Sequence, residues 1–204
     1  MNQSCSQQLL HVIGIGLNGL QNLSPEALAC LKKAEIIAGS KTHLQAVTDY
    51  PARKLPLSNN IVTWIDQIAD ILQQQSVVVL ASGDPLFYGL GRLLTERFDR
   101  ECLRFYPHVS SVQLAFNRLA IPWQSATIIS VHGRQPDHLE QALKQGKSPL
   151  AILTDFVHTP GEIARLVQDL RSPVQYCMYV CSHLGATQEK IQSVSIAEAI
   201  DSLF

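Results

Sequence analysis

Val77-Val78-Val79-Leu80-Ala81-Ser82-Gly83-Asp84-Pro85-Leu86-Phe87-Tyr88-Gly89 is the stretch that decides the fold. Four apolar residues, three of them β-branched, run straight into a turn cluster. Such a run reads as a strand buried on both faces, hence an interior strand of a parallel sheet. Gly83 has no Cβ and lets another molecule approach the backbone closely. Asp84 is a good helix N-cap, and Pro85 suits the first helical position. The apolar spacing of Leu86, Leu90, Leu93, Leu94 and Phe98 then predicts a helix over 86–98. In open α/β sheets ligands bind at such carboxyl strand ends. Gly-Asp-Pro alone does not separate that reading from an ordinary strand-to-helix turn.

Toward the N-terminus, Leu9 to Ile15 reads as a strand entering a Gly-rich turn, with Gly14, Gly16 and Gly19 in G-x-G-x-x-G spacing. The next helix starts late, at Ser24-Pro25-Glu26. A dinucleotide fold places the third Gly in the helix and an acid at the tip of the second strand. Here Ile36-Ile37-Ala38 ends in Gly39-Ser40, and Glu35 lies at the wrong end. The motif therefore argues against NAD, and the missing acid also argues against the common Rossmann-type methyltransferase. Residues 41–47 form a short helix. Pro51 to Pro56 is a link with a short strand at most, and residues 60–74 form an amphipathic helix.

Toward the C-terminus, Leu103 to Tyr106 is a strand, and Ser110 or Ser111 caps a helix through Leu119. Ile121-Pro122-Trp123 breaks the pattern, which then restarts. Thr127 to Val131 is a strand, His132-Gly133-Arg134 a turn, 137–145 a helix, and Leu150 to Thr154 a strand ending in Asp155. Thr159 and Glu162 predict a capping box for a helix through Leu170. Val174 to Val180 reads as a strand, Leu184-Gly185 as a turn, Ile191 to Val194 as an edge strand, and Ser195 caps a last helix. The fold class is α/β, with two α/β lobes at 1–108 and 109–204.

At 204 residues and 46% hydrophobic content, the chain supports a sizeable core. Its formal charge is -1 and no basic stripe is visible, which argues against binding nucleic acid through phosphates. A small anionic substrate stays open. Apolar runs fall far short of the roughly 20 residues that span a membrane, and Met1 to Ser6 carries no signal region. The five cysteines, Cys5, Cys30, Cys102, Cys177 and Cys181, are irregularly spaced and predict no disulfide framework, so a reducing cytoplasm is the expected compartment. Cys177 and Cys181 share a strand face but lie roughly 13 Å apart. They read as packed core thiols, and no metal site is expected.

Arg134 beside Gly133 is an open fork for a carboxylate. His132 reads as a base, a donor or a turn residue. Asp84 and Asp155 end strands without an adjacent His, and no Gly-x-Ser-x-Gly elbow marks a serine nucleophile.

Together the Val12-to-Gly16 turn, the Ala81-to-Gly89 run and the two-lobe pattern resemble the tetrapyrrole methylases. Finer marks are Ser110 to Phe116, Trp123, Ser130 to Arg134, Leu153-Thr154-Asp155 with Thr159-Pro160, and Leu184-Gly185 with Glu189. These resemble the precorrin-6Y C5-methyltransferase branch, over nearly the whole chain. Many relatives carry an acid just before Leu-Gly, where this chain has Cys181-Ser182-His183.

The resemblance implies S-adenosyl-L-methionine in a cleft between the lobes, lined by Gly83, Asp84, Pro85, Leu86, Ser110, Ser111, Thr154 and Leu184. It implies that Gly14, Gly16 and Gly19 face a tetrapyrrole, a precorrin or cobalt-precorrin, and that His132, Gly133 and Arg134 meet its carboxylates. Methylation at C5 alone, a separate C15-methylating decarboxylase partner and a homodimer follow from the same resemblance. A base for proton removal is left open among Tyr88, His132 and Asp155. Two other readings remain: a methylase of this fold acting at another ring position or on RNA or protein, and a non-catalytic tetrapyrrole or nucleotide binder. The second predicts cofactor affinity without methyl transfer.

Overall fold

The computed structural model describes residues 8–170, 172–202 and 204. The reading of Met1 to Ser6, Cys5 included, lies outside them. The chain divides into two compact units, the first ending at Ser110 and the second beginning at Ser111.

The first unit contains β1 (Leu10–Ile15), α1 (Pro25–Lys33), β2 (Ile36–Gly39), α2 (Lys41–Gln45), β3 (Arg53–Pro56), α3 (Ile61–Leu72), β4 (Val77–Ser82), α4 (Gly91–Arg97) and β5 (Leu103–Tyr106). The strands form one parallel sheet in the order β3-β2-β4-β1-β5. β4 is central, and Val77 to Ala81 are all buried. Alternate residues serve opposite faces, as strand geometry requires. Val77 and Val79 join Leu10, Val12, Trp64, Ile68 and Leu94 in one core. Val78 and Leu80 join Ile13, Ile15, Leu31, Ile37 and Val47 in the other. Helices cover both faces, which is why β4 had to be apolar throughout.

Local signals explain most boundaries. Ser24 Oγ accepts from Ala27 N at 3.1 Å, with Pro25 in the first turn of α1. Asn60 Oδ1 accepts from Val62 N and Thr63 N at the start of α3. The helix expected over 86–98 is shorter, Gly91–Arg97. Asp84 Oδ1 accepts from Leu86 N at 2.9 Å, and Phe87 N donates to Asp84 O at 3.0 Å. Asp84 thus organises a turn of its own instead of capping the helix. Tyr88 then takes φ 54° before α4 begins.

The second unit contains α5 (Ser111–Leu119), β6 (Thr127–Ser130), α6 (Asp137–Lys144), β7 (Leu150–Leu153), α7 (Pro160–Asp169), β8 (Met178–Ser182), β9 (Lys190–Val194) and α8 (Ile196–Ile200). β6 and β7 pair in parallel, and β8 and β9 form an antiparallel pair. Ile129, Val131, Leu139, Leu143 and Ile163 form its core.

Three expectations are corrected here. The strand expected from Val174 starts at Met178. Cys177 is exposed and Cys181 half-buried, so neither is a packed core thiol. Cys177 lies just before β8 and Cys181 within it, in a sheet of only two strands among the described residues. The capping box at Thr159 forms only by half: Thr159 Oγ1 accepts from Glu162 N, but the Glu162 carboxylate pairs with Arg165. Ser195 and Glu198 form a complete box at α8. Among the described residues no helix is long and apolar enough to cross a membrane.

Candidate functional site

In the first unit the carboxyl ends of β4, β1 and β5 are tied together by backbone. Gly83 N donates to Ile15 O at 2.9 Å, and His108 N donates to Gly83 O at 3.2 Å. Gly83 takes φ 59°, a region that a residue with a Cβ enters only at a cost. Its polar groups are therefore used inside the chain. Gly83 leads the chain directly into Asp84, Pro85 and Leu86. Pro85 is buried and its carbonyl accepts from Gly91 N, while Leu86 is 55% exposed and Tyr88 42% exposed. Ser110 is buried, with its Cα 3.3 Å from where a Gly83 Cβ would stand.

The β1 turn is sorted by its glycines. Gly14 is buried, and a Cβ there would lie 1.8 Å from Gly83 O. Gly14 is thus a packing position within the sheet end. Gly16 and Gly19 close a tight turn, with Gly19 N donating to Gly16 O at 3.1 Å. A Cβ on Gly16 would meet His108 Cε1 at 2.8 Å, and one on Gly19 would meet Ala46 Cβ at 3.3 Å. His108 Nε2 bonds Gln21 O at 3.2 Å and pins the far end of the loop.

Ser82, the last residue of β4, is exposed and carries a partner that sequence reading missed. His43 Nε2 lies 2.9 Å from Ser82 Oγ. His43 sits on α2, so the pair is made by two strand-end segments 39 residues apart, and no local motif announces it. Burial holds the His43 imidazole below its ordinary range, partly opposed by the Leu80 carbonyl.

In the second unit the 131–134 turn is built from the β6 and β7 ends. Arg134 N donates to Val131 O at 3.1 Å, and Gly133 takes φ 62° with open space around it. His132 Nδ1 lies 3.2 Å from Thr154 O. A carbonyl only accepts, so Nδ1 carries a proton in this contact. Asp155 Oδ2 accepts from Gly133 N at 2.8 Å, and Oδ1 accepts from Val157 N and His158 N. These N–H groups, Gly133 and His158 foremost, hold its carboxyl well below the usual carboxylate range. So acidic and so fully used a carboxylate is a poor proton acceptor. Its work is to fix the turn that presents His132 and Arg134.

This gives a pH prediction. A carboxyl whose folded-state pKa is depressed stabilises the fold above its unfolded value, about pH 4, and loses that contribution as pH falls toward the folded value. Asp155→Asn should therefore lower the melting temperature at pH 7 and flatten the acid limb of the melting curve below about pH 4. Melts of both proteins from pH 2 to 7 check it. Parallel curves would mean that the bonds to Gly133, Val157 and His158 contribute nothing.

Leu184 is buried at the end of β8, after His183 at φ 51°. The following turn is held by Glu189, which accepts from Gly185 N at 2.7 Å and from Arg118 Nε at 2.6 Å. The Arg118 guanidinium and the Gly185 N–H keep the Glu189 carboxyl low. Thr154 and Ser111 are exposed.

The sequence profile of the tetrapyrrole (corrin/porphyrin) methylases matches residues 9–200. The chain belongs to this family. This tetrapyrrole methylase is 35% identical over 189 residues to the cobalt-precorrin-7 C(5)-methyltransferase of Salmonella typhimurium, covering 93% of the chain and 92% of the relative. It is 33% identical over 164 residues to a Sinorhizobium precorrin-6Y C(5,15)-methyltransferase [decarboxylating], of which the match covers 38%. Solved structures share the fold. The cobalamin biosynthesis precorrin-6Y methylase of Archaeoglobus fulgidus superposes with TM-score 0.67 at 23% identity, covering 93% of this chain and 90% of that one. The uroporphyrin-III C-methyl transferase of Thermus thermophilus, complexed with S-adenyl homocysteine, gives 0.76 at 16% identity, covering 96% and 93%.

Proposed function

We propose that this methylase transfers a methyl group from S-adenosyl-L-methionine to C5 of a precorrin or cobalt-precorrin at the precorrin-6/7 stage of cobalamin biosynthesis. The observation that carries this is the 35% identity to a cobalt-precorrin-7 C(5)-methyltransferase over 93% of the chain. The local chemistry supports it. Bound S-adenosylmethionine supplies an electrophilic methyl on a sulfonium, so the protein needs no covalent nucleophile. At the end of β4 the exposed Leu86 and Tyr88 suit an apolar arm, and the Asp84 carboxylate suits a cationic centre. Those residues fit the cofactor, with Gly83, Pro85 and Ser110 shaping the turn behind them. Ser111, Thr154 and Leu184 complete the cofactor set by resemblance.

The ring's side-chain carboxylates suit the 132–134 turn, where Asp155 fixes Gly133 and Thr154 orients His132. Gly16 and Gly19 close a turn that carries the exposed Leu17, an apolar surface suited to a flat macrocycle. The protein's contribution is to hold the acceptor carbon in line with the methyl and to exclude water.

Arg134→Ala should raise KM for the ring by about 10- to 100-fold, the range for a hydrogen bond to a charged group. Its affinity for S-adenosylhomocysteine should stay within about twofold. Equal losses on both would remove Arg134 from the substrate's side of the reaction.

The deciding experiment incubates the purified chain with methyl-labelled S-adenosylmethionine and precorrin-6-type rings, with and without cobalt. One methyl added at C5, located by carbon NMR of the product, is the expected result. Methylation at another position, or cofactor binding with no transfer to any ring, would sink the assignment. The Salmonella relative, named for C5 alone, also supports leaving the C15 decarboxylating methylation to a separate polypeptide in the cytoplasm. A homodimer is the matching proposal for assembly, and light scattering tests it.

A further inference from the structure

We propose that Ser82 and His43 form the proton relay of the reaction, with the Ser82 hydroxyl facing the acceptor ring and His43 Nε2 behind it as the base. The proposal rests on the methyl-transfer reading above. Adding a methyl cation equivalent to a neutral ring leaves the product one positive charge in excess. Neutrality returns when one proton leaves the ring. In the relay, Ser82 Oγ takes that proton while its own hydroxyl proton passes to His43 Nε2. The resulting imidazolium later gives its proton to water. No oxidant, reductant or further reactant is required.

The geometry has four parts. Ser82 is the exposed last residue of the central strand, directly before Gly83-Asp84, and its Oγ lies 2.9 Å from His43 Nε2. That distance is ordinary for a hydroxyl and its base. Second, His43 is held in place. Its backbone N donates to Ser40 Oγ at 3.2 Å, and its Cβ lies 3.3 Å from where a Gly39 Cβ would stand. Third, Nδ1 is buried and makes no hydrogen bond of good geometry among the described residues, though the Leu80 carbonyl is near enough to favour its protonation. A proton on Nδ1, favoured by that nearby carbonyl, leaves the Nε2 lone pair for Ser82. Fourth, the glycine turn lies alongside, since a Gly19 Cβ would meet Ala46 Cβ at the end of α2. The relay therefore opens beside the turn assigned to the macrocycle.

The surroundings favour a neutral imidazole. α2 packs against β2, β3 and β4. β2 and β4 carry no titratable side chain. On β3, Lys54 Nζ is bonded to Tyr50 O and Ala52 O, and Arg53 is exposed. On α2 itself Lys41 is exposed. Burial keeps His43 below the ordinary 6.5, so it is a ready acceptor at neutral pH. Asp155, by contrast, is occupied by three N–H groups.

The test uses the full chain with His43→Gln, Ser82→Ala and Ser82→Thr. His43→Gln and Ser82→Ala should lower kcat by about 100-fold, the lower range for losing a general base, with KM for the ring and S-adenosylhomocysteine affinity little changed. Ser82→Thr keeps the hydroxyl and should retain most of the rate. Wild-type kcat should fall at low pH through an ionisation below 6.5, and His43→Gln should lack that limb. A readout independent of turnover is nitrogen NMR of labelled histidine, which should show His43 neutral at pH 7 with its proton on Nδ1. Variants with wild-type kcat and an unchanged acid limb would overturn the relay alone, as would a spectrum placing the proton on Nε2. A folded wild-type chain that methylates no ring would overturn the methyl-transfer reading and the relay with it.

Discussion

Gly14→Ala is expected to lose about 3 kcal/mol or more of stability, at the upper end of overpacking costs. The cause is space alone. The added Cβ would stand 1.8 Å from Gly83 O, 2.9 Å from His108 N and 3.0 Å from Gly83 C. These are backbone atoms in the tied ends of β4 and β5, so no side chain can swing away. A typical domain has only about 5–15 kcal/mol in total. The variant should melt far below wild type, or reach the soluble fraction poorly, with the urea midpoint moved in proportion. An unchanged midpoint would mean that the three strand ends are not packed as described. Gly133→Ala makes the contrast: nothing lies within 4 Å of its added Cβ, so only the φ of 62° opposes it.

Gly83→Val should abolish measurable S-adenosylhomocysteine binding, a loss of about 100-fold or more for a misplaced site. From the sequence alone, a bulky side chain at Gly83 is expected to fill the ligand's space and leave the fold intact. The structure changes both halves of that expectation. The Cβ direction points at Ser110 Cα, 3.3 Å away, so valine displaces the chain around Ser110 and the Asp84–Leu86 turn. At φ 59° a β-branched residue is also strained, at about 1–3 kcal/mol. Calorimetry and thermal melts should therefore both change. Full affinity in a folded Gly83→Val protein would separate this turn from the cofactor.

The sheet was legible wherever burial dictated the residues. β4 is apolar at every position from Val77 to Ala81 because helices cover both faces, and that pattern cannot be mistaken for a half-exposed strand. The ends of elements were less legible. Asp84 followed by Pro85 has the chemistry of a helix start, but its carboxylate had a nearer donor in Leu86 N. Val174 to Cys177 had strand-like residues, but among the described residues the ladder with β9 begins only at Met178. Thr159-Pro160-Gly161-Glu162 had the spacing of a capping box, and Arg165 drew the glutamate away.

The candidate site divides the same way. His132, Gly133 and Arg134 were visible as a polar turn after a strand, and the geometry adds Asp155 as its anchor. The Gly14-to-Gly19 turn was visible as glycines, but composition could not say that Gly14 receives another strand's carbonyl while Gly16 and Gly19 sit against His108 and Ala46. His43 and Ser82 were each unremarkable in sequence, because the register of two separate strand ends brings them together.

The strand order carries a consequence for synthesis. Of the first three strands to leave the ribosome, only β2 and β3 are partners. β1 is built first, yet both its neighbours come later, with β4 at Val77–Ser82 and β5 at Leu103–Tyr106. Until β4 slides between β1 and β2, the apolar strand Leu10–Ile15 has no ladder on either edge. Such long-range closure is slow and leaves sticky edges open while it waits. The half-made chain is therefore most vulnerable to aggregation before Ser82 emerges. The segment that joins β1 to β2 is also one proposed to line the cofactor, so the nascent protein gains the middle of its sheet and the first part of that site together.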